Sequence, residues 1–165
     1  MYCSVRYQFQ QHFQIPALKA YEWCTDYQPV DPALMHDNAE RSVENLSEST
    51  IILTDQYHST GGNITKRKLV NLYPSNLSWT STHLTGPNKY SQFLYKIVPE
   101  NEEESHLEFT GLHVERRSQD SSESTTSIKL SKRLMEEDSA AWKLLAKEME
   151  RELKRPQREC ARKPL

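Results

Sequence analysis

The sequence predicts an α+β domain in which a curved antiparallel sheet of about seven strands wraps around one long C-terminal helix, in the order β-α-α-β6-α. Three observations predict it. Apolar and polar residues alternate at the start, hairpin turns punctuate the middle, and the end carries one long stretch of helical periodicity.

In "MYCSVRYQFQQHF", Val5, Tyr7, Phe9 and Phe13 share one parity and Arg6, Gln8, Gln10 and His12 the other, which is the period of a half-buried strand. In "PALKAYEWCTDY", Pro16 suits a first helical turn. Leu18, Tyr21, Cys24 and Tyr27 recur near helical spacing with Trp23 beside them, so a short helix packed by one face is expected. The prolines of "PVDPALMHD" break that helix, and Asp31 stands where it can cap a second short one through Leu34 and Met35.

From residue 38 the punctuation is that of hairpins: "STGGN" at 59–63, "PSN" at 74–76, "GPNK" at 86–89 and the acidic loop "PENEEE" at 99–104. The segments "STIILTDQYHS", "NITKRKLVNLY", "LSWTSTHL", "YSQFLYKIV" and "SHLEFTGLHVERR" are rich in β-branched and aromatic residues, and the meander is expected to hold six strands. "SQDSSESTTS" reads as a polar loop too hydrophilic to pack. A single helix then runs from Lys129 to Arg155, with Leu134, Met135, Trp142, Leu145, Met149 and Leu153 as its apolar stripe and Asp138 or Ser139 at an internal cap or kink. One domain over 1–155 is expected, followed by a basic, disordered tail over 156–165.

A chain of 165 residues can bury a core without a metal or disulfide staple. Its net charge of -2 and mean hydropathy of -0.82 describe a polar surface of mixed sign, with no global attraction to nucleic acid or anionic lipid. The three cysteines, Cys3, Cys24 and Cys160, form no CxxC pair and read as reduced thiols. No stretch is apolar enough for a membrane span and none resembles a signal peptide, so a soluble cytoplasmic protein is expected, in which the N-x-S/T matches at Asn45, Asn63 and Asn76 arise by chance.

Taken in order, "VRYQFQQHFQI", "PALKAYEWCTDY", "LSWTSTHL" and the helix ending "WKLLAKEMERELKR" resemble the START-like or SRPBCC superfamily of helix-grip proteins, which includes polyketide cyclase-like and pathogenesis-related ligand-binding domains. The resemblance spans residues 2 to 155 and rests on the order of elements, because no signature residue defines the superfamily. It is similar to the uncharacterised stand-alone members. It implies a ligand cavity between sheet and helix, no particular reaction and no cofactor.

Strand parity places Ile51, Leu53, Tyr57, Leu77, Trp79, Ser81, His83, Phe93, Tyr95, Ile97, Leu107, Phe109 and His113 on the inward faces, with Met135 and Trp142 meeting them from the helix. Apolar walls with a few hydroxyl and imidazole groups are what a small-molecule pocket needs. Composition alone favours a solid core; the resemblance implies a pocket. The expected lining is Tyr57, Trp79, Ser81, His83, Phe93, Tyr95, Phe109, His113, Met135 and Trp142. His83 and His113 are titratable groups on apolar faces that could do acid or base work near neutrality, and Asp55, on the same parity, would need a partner such as Arg67.

Other patterns point elsewhere. His36-Asp37 lacks the further ligands of an HD metal site, and the six histidines contain no HxxxH or HxH pair. "STGGNITK" is not a phosphate-binding loop. The "KRK" at 66–68 reads as a solvated strand edge, and neither it nor the basic tail interleaves with aromatic residues as a nucleic-acid platform would. The expected function is binding of a hydrophobic or amphipathic small molecule, with no specific nucleic-acid partner. The alternatives are a cyclase or aromatase-like enzyme using His83, His113 or Tyr57, and an adaptor that binds protein without a ligand.

Overall fold

The computed structural model describes residues 2–28, 39–116 and 123–154. Within them the order is β1 (Tyr2–Phe13), α1 (Ala17–Thr25), β2 (Ala39–Asn45), β3 (Thr50–Ser59), β4 (Gly62–Tyr73), β5 (Ser78–His83), β6 (Gln92–Pro99), β7 (Ser105–Arg116) and α2 (Glu123–Leu153). This is the predicted α+β architecture. The seven strands form one antiparallel sheet in the order β1-β7-β6-β5-β4-β3-β2, so the first strand closes against the last and the meander does the rest. The expected second short helix and the His36-Asp37 dipeptide fall outside the described residues.

The turns lie where glycine and proline marked them. Gly62 and Gly86 adopt φ of 120° and 86°, and Pro74–Asn76 makes a single 3-10 turn. The sixth meander strand is β2, whose polar "AERSVEN" shows no strand period; pairing with β3, not its own composition, holds it in the sheet. The long helix begins at Glu123, inside the stretch read as a polar loop, because serine and threonine tolerate a helical first turn when the following turns are anchored.

Register aligns one face of every strand. Trp79 pairs with Tyr95, Tyr95 with Phe109 and Phe109 with Phe9, and two residues along, Ser81 pairs with Phe93, Phe93 with Gly111 and Gly111 with Tyr7. The inward parities expected for β1, β3, β5, β6 and β7 therefore hold. Cross-strand neighbours on this concave face form the core with Phe13, Leu53, Val70, Ile97 and Leu107.

Two helix faces differ from expectation. On α1 Tyr21 is buried and Trp23 and Cys24, with Tyr27 just beyond, pack partly buried against the core as expected, but Leu18 is 58% exposed, because the small Ala17 and Ala20, buried in its place, let the helix sit close to β6 and β7. On α2 the inward row is Leu130, Leu134, Asp138, Trp142, Ala146 and Met149, stepping by three or four residues. Met135 does not meet the sheet: it lies one position off this row and is 37% exposed, as Leu153 is at 40%. Neither Asp138 nor Ser139 ends a helix there, since α2 runs through both; Ser139 Oγ donates back to the Met135 carbonyl.

Candidate functional site

The concave face carries a continuous aromatic band. Trp79 and Tyr95 stack with ring centroids 4.8 Å apart and planes 4° from parallel, Phe9 and Phe109 stack at 4.5 Å, and Tyr95 meets Phe109 edge-on at 5.3 Å. Trp142 reaches down from α2 to 5.8 Å from Tyr95, and Tyr21 from α1 meets Trp79 at 5.9 Å. One end of the space above this band is closed by α1, which is tied to the end of α2 by a hydrogen bond from Trp23 Nε1 to Glu152. The broadest contact of α2 is with β1. Tyr57, His83, Phe93, Tyr95 and Trp142 all turn inward and each keeps part of its surface exposed.

Moving along β5 from Trp79 through Ser81 to His83, the lining turns from aromatic to polar. His83 lies opposite Lys68, which lies opposite Leu53, and in the adjacent row Arg41, Asp55 and Lys66 stand side by side on β2, β3 and β4. Asp55 is fully buried. Arg41 grips it with Nε on Oδ1 at 2.7 Å and Nη2 on Oδ2 at 3.0 Å, and Lys68 Nζ adds 3.1 Å to Oδ2. Burial pushes the Asp55 carboxyl up, but the Arg41 hydrogen bond and the charges of Lys68 and Arg41 outweigh it and hold the group below its ordinary value. The expected partner Arg67 is not used. It faces the convex side, one residue out of phase with Lys66 and Lys68, so the "KRK" is not a solvated edge but an interior strand with both lysines turned inward.

His83 sits between this cluster and Phe93, 5.1 Å from its ring. Burial, with the neighbouring charges of Lys68 and Lys66, pushes its pKa down to about 4, so the imidazole is neutral at pH 7. His113 is buried beyond Gly111 on β7, with Nε2 3.4 Å from Glu115. Ser81 is buried between Val70 and Phe93.

A polar pair that parity alone did not reveal closes the site on the helix side. The Tyr7 hydroxyl donates a short hydrogen bond to Asp138 Oδ2. Burial pushes the Tyr7 phenol up, and the carboxylate beside it adds to the shift; burial also raises Asp138, partly offset by the hydrogen bond it accepts. Tyr7 reaches the helix because the facing residue is Gly111, where a Cβ would lie 2.7 Å from the tyrosine ring. Arg41, Lys68 and Tyr7 were overlooked because a charge on a polar strand, or a tyrosine in an apolar stripe, has an ordinary structural explanation until the register is known.

Tyr95 and Cys24 are both pushed up by burial, so neither the phenol nor the thiol ionises near neutrality. Among the described residues no group of three or more His, Cys, Asp or Glu side chains is placed to hold a metal ion, and no helix is long and apolar enough to cross a membrane.

No protein-family model and no curated protein matches the sequence. Solved structures do. The chain is similar to the Zhui aromatase/cyclase from Streptomyces sp. R1128, with a TM-score of 0.72 at 15% identity over 93% of this chain and 98% of that one. A START superfamily protein from Mycobacterium smegmatis gives 0.66 at 14% identity, covering 88% of this chain and 97% of that one. Norcoclaurine synthase from Thalictrum flavum, solved with dopamine and hydroxybenzaldehyde, gives 0.63 at 9% identity, covering 88% and 86%. At such identities the likeness is one of fold. The chain has the START-like helix-grip fold, whose structural neighbours include an aromatase/cyclase and a START superfamily protein.

Proposed function

We propose that the protein binds a hydrophobic or amphipathic small molecule between the concave sheet face and α2, against Trp79, Phe93, Tyr95, Phe109 and Trp142. One observation carries this reading: the aromatic band continues without a break into a polar cluster on the same concave face, and the rings at the junction keep exposed surface. Apolar walls supply affinity and the polar end supplies orientation. Tyr57, Ser81, His83 and His113 belong to the polar end. Met135, on the outer side of α2, is no part of the lining. The free thiols of Cys3 and Cys24 suit a cytoplasmic setting.

Titration with Nile red, a neutral apolar dye, tests the reading. Saturable one-to-one binding is expected, weakened at least tenfold by Phe93→Ala or Trp142→Ala and unaltered by Leu94→Ala on the convex face. Absence of saturable binding, or equal effects of all three substitutions, would overturn it.

A second reading, an enzyme of the cyclase kind, is favoured by the Tyr7 and Asp138 pair. A phenol bonded to a carboxylate on the inward side of β1 and α2 is a route by which a proton could pass to or from a bound carbonyl compound. Turnover of a poly-β-carbonyl substrate that Tyr7→Phe abolishes without weakening Nile red binding would favour this reading over simple carriage.

A further inference from the structure

Among the described residues the polar end of the site carries more positive than negative charge. Three cations, Arg41, Lys66 and Lys68, stand on the concave face around the single carboxylate of Asp55. Arg41 already takes both oxygens of that carboxylate in a bidentate grip. Lys68 Nζ carries three hydrogens, of which Asp55 Oδ2 accepts one at 3.1 Å, and among the described residues no other carboxylate lies in contact with it. Lys66 Nζ lies 5.3 Å over the ring of Tyr57, and among the described residues no carboxylate forms an ion pair with it. The other acidic groups near the lining are engaged elsewhere: Glu115 by His113, and Asp138 by Tyr7.

A surplus of positive charge in a half-buried setting is unfavourable for the empty protein and attractive to an anion. The Lys68 ammonium shows the cost, since burial first, and then Arg41 and Lys66, draw its pKa down against the pull of Asp55. The imidazole of His83, opposite Lys68, is kept neutral by the same surroundings and adds no charge of its own.

We propose that the occupant of this cavity is an amphipathic acid, a molecule with an apolar or aromatic body and one carboxylate or equally charged oxyanion, and that Lys68, with Lys66 beside it, receives the anionic end. The body then lies along Trp79 on β5 and Phe93 and Tyr95 on β6, the strands next to β4 on the same face. Asp55 and Arg41 act as a fixed platform that holds the Lys68 ammonium in place. This assignment rests on the cavity reading above and adds the charge of the ligand to it.

A matched pair of probes separates the two. Dansylundecanoic acid and its methyl ester share one apolar body and differ in charge, and each is titrated by dansyl fluorescence against the full chain. The acid is expected to bind at least tenfold more tightly than the ester. Lys68→Met is expected to bring the ratio close to one, and Lys68→Arg to preserve it, with circular dichroism checking that each variant is folded. Should Lys68→Met fail to fold, Lys66→Met and the ratio for the unmodified protein still decide the matter, and a salt titration from 50 to 500 mM is expected to weaken the acid and leave the ester unchanged. Equal affinity for acid and ester in a protein that still binds Nile red would overturn the anion assignment alone. Failure of both probes and of Nile red would overturn the cavity reading beneath it.

Discussion

The hydroxyl of Tyr7, near the start of the chain, is hydrogen-bonded to the carboxylate of Asp138 in the middle of the C-terminal helix, 131 residues away in sequence. It joins the first strand to the helix across the mouth of the aromatic band. The bond exists because Gly111 leaves room for the tyrosine ring to lie across β7.

Gly111→Ala places a methyl group 2.7 Å from that ring, which must move and release Asp138. A loss of about 1 to 3 kcal/mol in urea unfolding is expected, as for overpacked cores. In a Tyr7→Ala background the same glycine substitution should cost under about 0.5 kcal/mol, since nothing then occupies the space; a double-mutant cycle without coupling would refute this geometry.

Breaking the buried ion pair is the most destabilising polar change expected. Arg41→Met takes the bidentate partner from the fully buried Asp55 and should cost about 3 to 5 kcal/mol. Arg67→Met, between the two inward lysines but facing outward, should stay within about 0.5 kcal/mol. Chemical denaturation of the two variants side by side reads the contrast, and similar costs would show that the strand parity is wrong.

Acid should destabilise the fold through His83. Its pKa falls from 6.5 to about 4 on folding, so below pH 6.5 the unfolded chain binds a proton that the folded one refuses. Stability is therefore full above that point and declines as pH drops to about 4, by at most about 1.4 kcal/mol per pH unit from this one group. Asp55, held below its ordinary 3.8, adds its own loss only in more acid solution. His83→Gln should flatten the decline between pH 6.5 and 4. An unchanged profile would mean that the imidazole is solvated in the folded protein.

On α2 the two methionines should part company. Met149 is fully buried, and Met149→Ala is expected to cost about 2 to 5 kcal/mol. Met135→Ala, on the exposed side, should lie within about 0.5 kcal/mol and leave dye binding as it was. Thermal unfolding monitored by circular dichroism, with Nile red titration alongside, checks both.

Much of the architecture was legible in one dimension. The alternation of Val5, Tyr7, Phe9 and Phe13, the glycine turns at 61–62 and 86, and the length of the C-terminal helix are local facts, because a strand's period, a turn's backbone angles and a helix's periodicity are each set within a few residues. The inward sets of Trp79, Ser81 and His83, and of Phe93, Tyr95 and Ile97, followed from the same period. β2 was not legible as a strand, since its polar residues are held by a neighbour, and on the helices Leu18, Met135 and Leu153 were expected inside but are exposed, because a helix buries whichever face lets it pack closest, while Tyr21, Cys24, Leu134, Trp142 and Met149 pack as expected.

The electrostatics of the site belonged wholly to tertiary structure. Sequence could say that Asp55 needed a cation, and it offered Arg67; pairing chose Arg41 and Lys68, because register decides which charges share a face and a shift of one residue sends a side chain to the other side of the sheet. The same holds for Tyr7 and Asp138. Periodicity ranks residues by face, whereas partners separated by a whole chain length are selected by the summed twist, register and helix placement, which no local pattern encodes.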